Sequence, residues 1–317
     1  MRANKVLTRS QKRNIFFGLM IIVPIALFVV FYGFINVNTI LMAFKKYEAV
    51  NGFSVGYEVS FAGFENFVVV IKMLSYGENY RMITNSLILW AFKLFIGLTV
   101  SVLFSYYVYK KAVGSGFFRI VLFLPNVISN LIMVYLFRYL VDNAFSTVFN
   151  FDFGLLTNPK TNFATIIFFN LWLGFAGQTL MLTSAMSSIN ESIVESAQLD
   201  GVNSIQELFY ITLPMIFPTF MTFIVIGIAE IFVDQMSLVT FYDKFSVRPQ
   251  LKTVGYYLFQ QAYESELVPT TPWETNPETG KLSYPQLSAF GVMISAVIIP
   301  LSFGVKKLLG ALVPEEE

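Results

Sequence analysis

The chain has 317 residues and a formal net charge of +1, with 56% of its residues hydrophobic and only 13% charged. A soluble domain carries about a quarter of its residues as charges, so this composition excludes an ordinary water-soluble protein, and the near-zero charge leaves no footprint for nucleic acid. Cysteine and histidine are both absent, which removes disulfides, thiolate nucleophiles, imidazole bases and the usual zinc ligands together, so neither a metal nor a cofactor is expected.

The chain opens on a basic leader over residues 1–14 (Arg2, Lys5, Arg9, Lys12, Arg13), followed by an apolar run from 15 to 35 that extends to 44. The run is long for a signal peptide, carries Pro24 and lacks a small-x-small cleavage site, so it reads as a retained first helix. Further stretches at 87–109, 117–139, 163–186, 215–239 and 287–309 are each close to the ~20 apolar residues that cross a bilayer core. Backbone polar groups find no water in lipid, so such stretches are expected to be helical. The expectation is an all-α, multi-pass membrane protein with six transmembrane helices over 15–314. Lys110, Lys111 and Arg119 follow the second helix and Lys306 and Lys307 end the sixth; with the basic leader, they favour both termini in the cytoplasm.

Polar residues inside these helices mark either a pathway or helix-helix glue, and both readings fit here. On the second helix Lys93 lies roughly 10 Å below the outer boundary, counting 1.5 Å per residue. That is the depth of Glu230 on the fifth, so Lys93 either pairs with Glu230 or snorkels to the interface. Asn126 and Asn130 lie a turn apart on the third helix. Asn170, Gly174 and Gln178 share one face of the fourth, with Trp172 to its side. Gly227, Glu230 and Asp234 share a face of the fifth, followed by Gln235. Amides, carboxylates and aromatic platforms of this kind would suit a sugar path.

Between the fourth and fifth helices, residues 188–214 carry Glu191, Glu195, Asp200 and Glu207 and no Lys or Arg. Charge alone makes this a solvated acidic loop. Yet Ser188 with Glu191 and Asn203 with Gln206 read as capping boxes, and Ile189, Ile193 and Ala197 recur on one helical face with Val194 alongside. Gly201 suits the left-handed conformation that ends a helix. Leu208, Ile211, Thr212 and Leu213 lead to Pro214, and Pro214 and Pro218 are expected in the first turn of the fifth membrane helix. Two short amphipathic helices joined by a sharp turn form a docking unit. In the last outside loop, Leu251 to Tyr263 fits an amphipathic helix, while Ser265 to Pro285 is rich in Pro, Thr and Glu and reads as an insertion. A docking site for an extracellular protein and a solvated linker both remain open for it.

The segment Glu195-Ser-Ala-Gln-Leu-Asp-Gly201, followed by Ile211-Thr-Leu-Pro214, resembles the EAA loop of binding-protein-dependent ABC importer permeases. In the sugar branch that loop reads E-A-A-x-x-D-G-A, then about nine residues, then I-x-L-P. Ser196 and Val202 depart from it, each standing where alanine is usual. Gly63-Phe-Glu-Asn-Phe67, Gly116-Phe-Phe-Arg119 with Phe123-Leu-Pro125, Asn170-Leu-Trp172 with Gly174, and Asp234-Gln235 are similar, in order, to further motifs of carbohydrate permeases. The resemblance implies a type I importer permease fold and a pore made with a second permease subunit, as a heterodimer. It also implies an ATPase dimer whose groove takes the short helix of residues 188–214, an extracellular solute-binding protein, and a bacterial cytoplasmic membrane as the location. On that model Glu195 and Asp200 contact the groove rim, Ile193 and Ala197 fill it, Gly201 holds the turn, and Leu213 and Pro214 close the motif. No G-x-x-x-x-G-K-[ST] phosphate loop occurs in the sequence, so hydrolysis belongs to another chain. A permease for another small solute, or a carrier or channel that works without an ATPase, are the alternatives.

Overall fold

The computed structural model describes residues 8–49, 57–149, 153–242, 247–267, 276, 278 and 280–311. The chain divides into two compact units, Met1–Met73 with Val268–Met293 and Leu74–Leu267 with Ile294–Glu317.

The first unit begins with α1 (Arg9–Met42), 34 residues of mean hydropathy 2.8 in its most apolar window. The helix starts six residues earlier than the apolar run because Thr8 and Gln11 form a reciprocal capping box. The last part of the basic leader is therefore helical. Strands β1 (Lys45–Ala49) and β2 (Tyr57–Phe61) pair antiparallel, with Lys45 opposite Phe61 and Ala49 opposite Tyr57. This hairpin was not expected in an otherwise helical chain. It is tied to α2 (Glu65–Ser75) by Asn66, whose buried amide donates to the carbonyls of Ala43 and Lys45 at 2.8 and 2.9 Å. Gly63 turns the chain into α2 at φ +54°, and Phe44, Phe64 and Phe67 cluster beside it. The Gly63–Phe67 motif is thus a turn, a helix start and an anchor in one.

The second unit is built on α3 (Arg81–Tyr109) and α6 (Asn162–Ser187). Serines let the two backbones approach closely: Ser105 donates to the Thr179 carbonyl at 3.1 Å, and Ser101 meets Gln178 at 3.0 Å. Leu98, Val102 and Tyr106 then bury against Leu182 and Met186. A second core joins Phe137, Phe169 and Phe241, with ring centroids 4.8 Å apart for the first two and 4.9 Å for the last two.

Two expected helices are broken. The stretch read as 117–139 is α4 (Ser115–Val127), an extended break at Ile128 and Ser129, and α5 (Asn130–Phe149). Pro125 removes a hydrogen bond from the turn before the break, and the β-branched Val127 and Ile128 favour extended backbone. The stretch read as 215–239 is shorter as a helix. After α7 (Glu191–Leu199) and α8 (Ser204–Met215), the chain bends by 70° into α9 (Phe217–Ala229). Pro214 therefore lies in α8 and only Pro218 in the first turn of α9. From Glu230 to Ser237 the backbone is irregular, before the short α10 (Leu238–Phe241). Residues Val254–Leu267 form α11 and Tyr284–Gly310 form α12. Among the described residues five helices are long and apolar enough to cross a membrane, six if the bent pair is one span. Among the described residues the architecture is all-α apart from the hairpin and one antiparallel bridge between Asn276 and Lys281. Much of the insertion read at Ser265 to Pro285 lies outside the described residues.

Candidate functional site

A cavity of about 260 Å³ opens between α3, α6 and the end of α9. Glu230, Ile231 and Asp234, from the irregular segment after α9, form part of its wall. Beyond Ala229 the helix stops, and unwound backbone is tolerated at membrane depth only where protein or a cavity satisfies it. Here Asp234 Oδ1 accepts from the Met236 amide at 2.8 Å, and Thr253 donates to the Asp234 carbonyl at 2.8 Å. Asn170 donates to the Met236 carbonyl at 3.2 Å. Met236 and Ser237 sit at φ +53° and +54°, a left-handed conformation that side chains adopt only when their surroundings impose it. The start of α11 packs so closely that a Cβ on Gly255 would overlap the Val233 carbonyl. On α3, Asn85 donates to the carbonyls of Gln250 and Lys252, and Ser86 accepts from the Val254 amide. Burial pushes the Lys252 ammonium below its ordinary value, against the opposing influence of Glu264.

Lys93 lies in a π-helical segment of α3, Phe92–Gly97, and forms an ion pair with Asp234 Oδ2. The expected partner, Glu230, lines the same cavity one helical turn earlier, and the ion pair is not made with it. The unwinding after Ala229 instead turns Asp234 toward α3. Of the residues read as a substrate path, Asn170, Gln178, Glu230 and Asp234 line the cavity together. The others do not. Asn126 reaches the Leu173 carbonyl at 3.4 Å and Asn130 the Ser237 hydroxyl at 3.5 Å, both as inter-element ties. Trp172 packs on Phe137 and Phe169 in the core, and the Gln235 carbonyl accepts from the Leu238 amide. Two aromatic residues missed in the sequence, Trp90 and Phe223, line the cavity. Trp90 stands one turn before Lys93, a spacing that could have drawn attention to it.

The loop between α6 and α9 is the second candidate. Asn190 caps α7 by accepting from the Ser192 amide; Ser188, read as the cap, instead ends α6 by donating to the Ala185 carbonyl. At the other end of α7, the Gly201 amide donates to Gln198 and the Val202 amide to Ala197, both at 3.1 Å, with Gly201 at φ +79°. This is the Schellman arrangement that satisfies the last carbonyls of a helix. Asn203 and Gln206 form a capping box on α8. Tyr106 donates to the Ser204 carbonyl at 2.9 Å, and Lys110 reaches both oxygens of buried Glu207. Glu195 and Asp200 are exposed on α7 and at its end, Leu213 is half-buried and Pro214 exposed. Ala197 and Val194 are buried against the chain itself, so Ala197 is not free to fill a groove on another protein. Ile193 is exposed; the fuller apolar exposure is at Leu199 (90%) and Ile205 (71%).

Over 136 residues the chain is 33% identical to a probable ABC transporter permease protein of Mycoplasma genitalium, covering 40% of this chain and 41% of that one. A Mycoplasma pneumoniae homologue is 29% identical over 49% of each chain. The chain thus spans less than half the length of these two relatives. The sn-glycerol-3-phosphate transport system permease protein UgpA of Shigella dysenteriae is 23% identical over 66% of this chain and 72% of its own. The fold matches a chain of a bacterial ABC transporter involved in the import of the acidic polysaccharide alginate, with a TM-score of 0.71 and 21% identity, over 96% of this chain and 98% of that one. Residues 93–314, more than half of the chain, match one family model. The chain is a multi-pass membrane protein and belongs to the family of binding-protein-dependent transport system inner membrane components.

Proposed function

We propose that this chain is the permease subunit of an ABC importer that moves a sugar or oligosaccharide into a bacterial cell. Alternating access of the cavity would be driven by ATP hydrolysis on a separate ATPase dimer. The observation that carries the reading is the loop of residues 188–214: two capped helices, held to α3 by Lys110 and Tyr106, present Ile193, Leu199 and Ile205 outward. Exposed apolar side chains on a rigid, acidic unit suit the groove of a donor-rich partner. On this reading Glu195, Asp200, Gly201, Leu213 and Pro214 shape and rim the contact, and both chain termini face the cytoplasm. A second permease, as a heterodimer, would complete the pore, and a solute-binding protein would deliver the substrate from outside.

A few polar groups set in the largely apolar cavity support a hydroxyl-rich substrate, since Asn170, Gln178, Glu230 and Asp234 supply donors and acceptors beside the aromatic Trp90 and Phe223. Purifying the full chain from native membranes and assaying the fraction for ATP hydrolysis and ATP-dependent sugar uptake tests the reading. A co-purified ATPase whose activity drives uptake is expected. Uptake by the chain with no ATPase bound would favour a carrier or channel, and ATP-driven uptake of a solute other than sugar would favour a permease of different cargo.

A further inference from the structure

We infer that the cavity between α3, α6 and α9 selects neutral or amino sugars and discriminates against acidic ones. The inference rests on the importer reading above and names the substrate class for its cavity. Three charged residues line the cavity: one cation, Lys93, and two carboxylates, Glu230 and Asp234. Their formal sum is one negative charge. The single cation is already committed, because Lys93 is ion-paired with Asp234. Glu230 is exposed, and while its backbone bonds to Ile226, Val233 and Asp234, its carboxylate makes no hydrogen bond or ion pair among the described residues. A carboxylate or phosphate entering here finds no free positive charge and an uncompensated negative one, in a site whose walls are largely apolar and screen little. Like charges placed together in this way cost several kcal/mol and so discriminate against a wrong ligand.

A neutral sugar meets the opposite situation. The free Glu230 carboxylate accepts from hydroxyls, a charge-assisted bond roughly twice as strong as a neutral one. Lys93 has three N–H donors and the ion pair leaves some of them for ring oxygens. Gln178 turns its Oε1 to the Ser101 hydroxyl at 3.0 Å, which leaves its amide N–H groups for the ligand. Trp90 and Phe223 offer apolar faces to the ring. A volume of about 260 Å³ lies just below the usual range of ligand pockets and suits a chain taken one ring at a time. An amino sugar gains further from Glu230. The contrast with the matched systems is chemical: alginate and glycerol 3-phosphate are both anions, and this lining has no uncommitted cation to receive one.

The test is binding to the purified full chain with its co-purifying subunits, read by tryptophan fluorescence from Trp90 and by thermal shift, at low ionic strength. The solute-binding protein is left out so that its own selectivity does not enter. The probes are a neutral hexose trisaccharide and a uronic-acid trisaccharide. The neutral sugar is expected to bind at least about tenfold more tightly. Glu230→Lys should reverse the preference. Asp234→Asn, which frees Lys93 and keeps an acceptor for the Met236 amide, should raise uronate affinity about tenfold. Equal or tighter uronate binding by the unaltered chain overturns the inference, as does binding of neither sugar or an unchanged preference in both variants. Loss of the ATPase from the purified fraction is a separate result and bears on the importer reading alone.

Discussion

Lys110 Nζ donates to both carboxylate oxygens of Glu207 at 2.9 Å, joining the C-terminal end of α3 to the first turn of α8. Glu207 is only 2% exposed, while the lysine side chain is 27% exposed. Breaking a fully buried pair from one side costs about 3–5 kcal/mol, because the remaining charge is stranded. Partial exposure of Lys110 reduces this, so Lys110→Met should cost about 2 kcal/mol and lower Tm in detergent. Removing both charges with Lys110→Met and Glu207→Leu should return most of that stability, since the stranded charge is gone. On the proposed function the double variant should still be slow in ATP-driven uptake, because the loop has lost its fixed link to α3. Full recovery of both stability and transport would show the pair to be structural only.

Gly201 ends α7 at φ +79°, and a Cβ there would meet nothing within 4 Å. The defect in Gly201→Ala is therefore conformational and not steric, worth about 1–2 kcal/mol for a left-handed L-residue. Asparagine enters this region more readily, so Gly201→Asn should retain more stability than Gly201→Ala. Thermal unfolding of the three proteins checks the order. An alanine variant as stable as the parent would mean that the turn relaxes to another conformation.

The two faces of α7 and α8 should respond differently to the same chemistry. Leu199 and Ile205 are exposed, so Leu199→Ser and Ile205→Ser should leave the unfolding free energy within about 0.5 kcal/mol of the parent, as surface changes do. Co-purification of the ATPase should nevertheless fall about tenfold or more. Val194 is 6% exposed, so Val194→Ser should instead destabilise the chain by about 1–3 kcal/mol through loss of apolar burial. Pull-down with thermal unfolding separates the cases, and equal ATPase recovery by all three variants would place the docking surface elsewhere.

The sequence carries the all-α class plainly, because long apolar runs leave lipid-exposed backbone few options other than helix. It also carries the turn of the α7–α8 loop, since Gly201, Asn203 and Gln206 act through local geometry. What it hides is direction. The spacing of Ile193, Val194 and Ala197 identifies one face of α7, yet only tertiary packing decides that Val194 and Ala197 face inward and Ile193 outward. Hydropathy likewise counts Glu230 to Ser237 as a continuation of a membrane helix. The interactions that unwind it come from Asn170, Thr253 and the start of α11, up to 66 residues away in sequence in the case of Asn170 and Met236. The β1–β2 hairpin lies between stronger apolar signals, and its anchor, Asn66, is recognisable only once the fold has brought it to Ala43 and Lys45.

That displacement of direction by depth makes Lys93 the sharpest test of the cavity. Counting residues along straight helices pairs it with Glu230, whereas the structure pairs it with Asp234. The two arrangements predict opposite orders of stability. With Asp234 as partner, Lys93→Met strands a carboxylate that also fixes the Met236 amide at 2.8 Å, so Tm should fall measurably. Glu230→Gln, which breaks no contact, should leave Tm unchanged. Combining Lys93→Met with Asp234→Asn should recover part of the loss, because the amide keeps an oxygen for Met236 and carries no charge to strand. A double-mutant cycle of thermal unfolding reads the coupling directly. If the coupling energy instead appears between Lys93 and Glu230 and is absent between Lys93 and Asp234, the unwound segment is arranged differently and the cavity has a free carboxylate at Asp234.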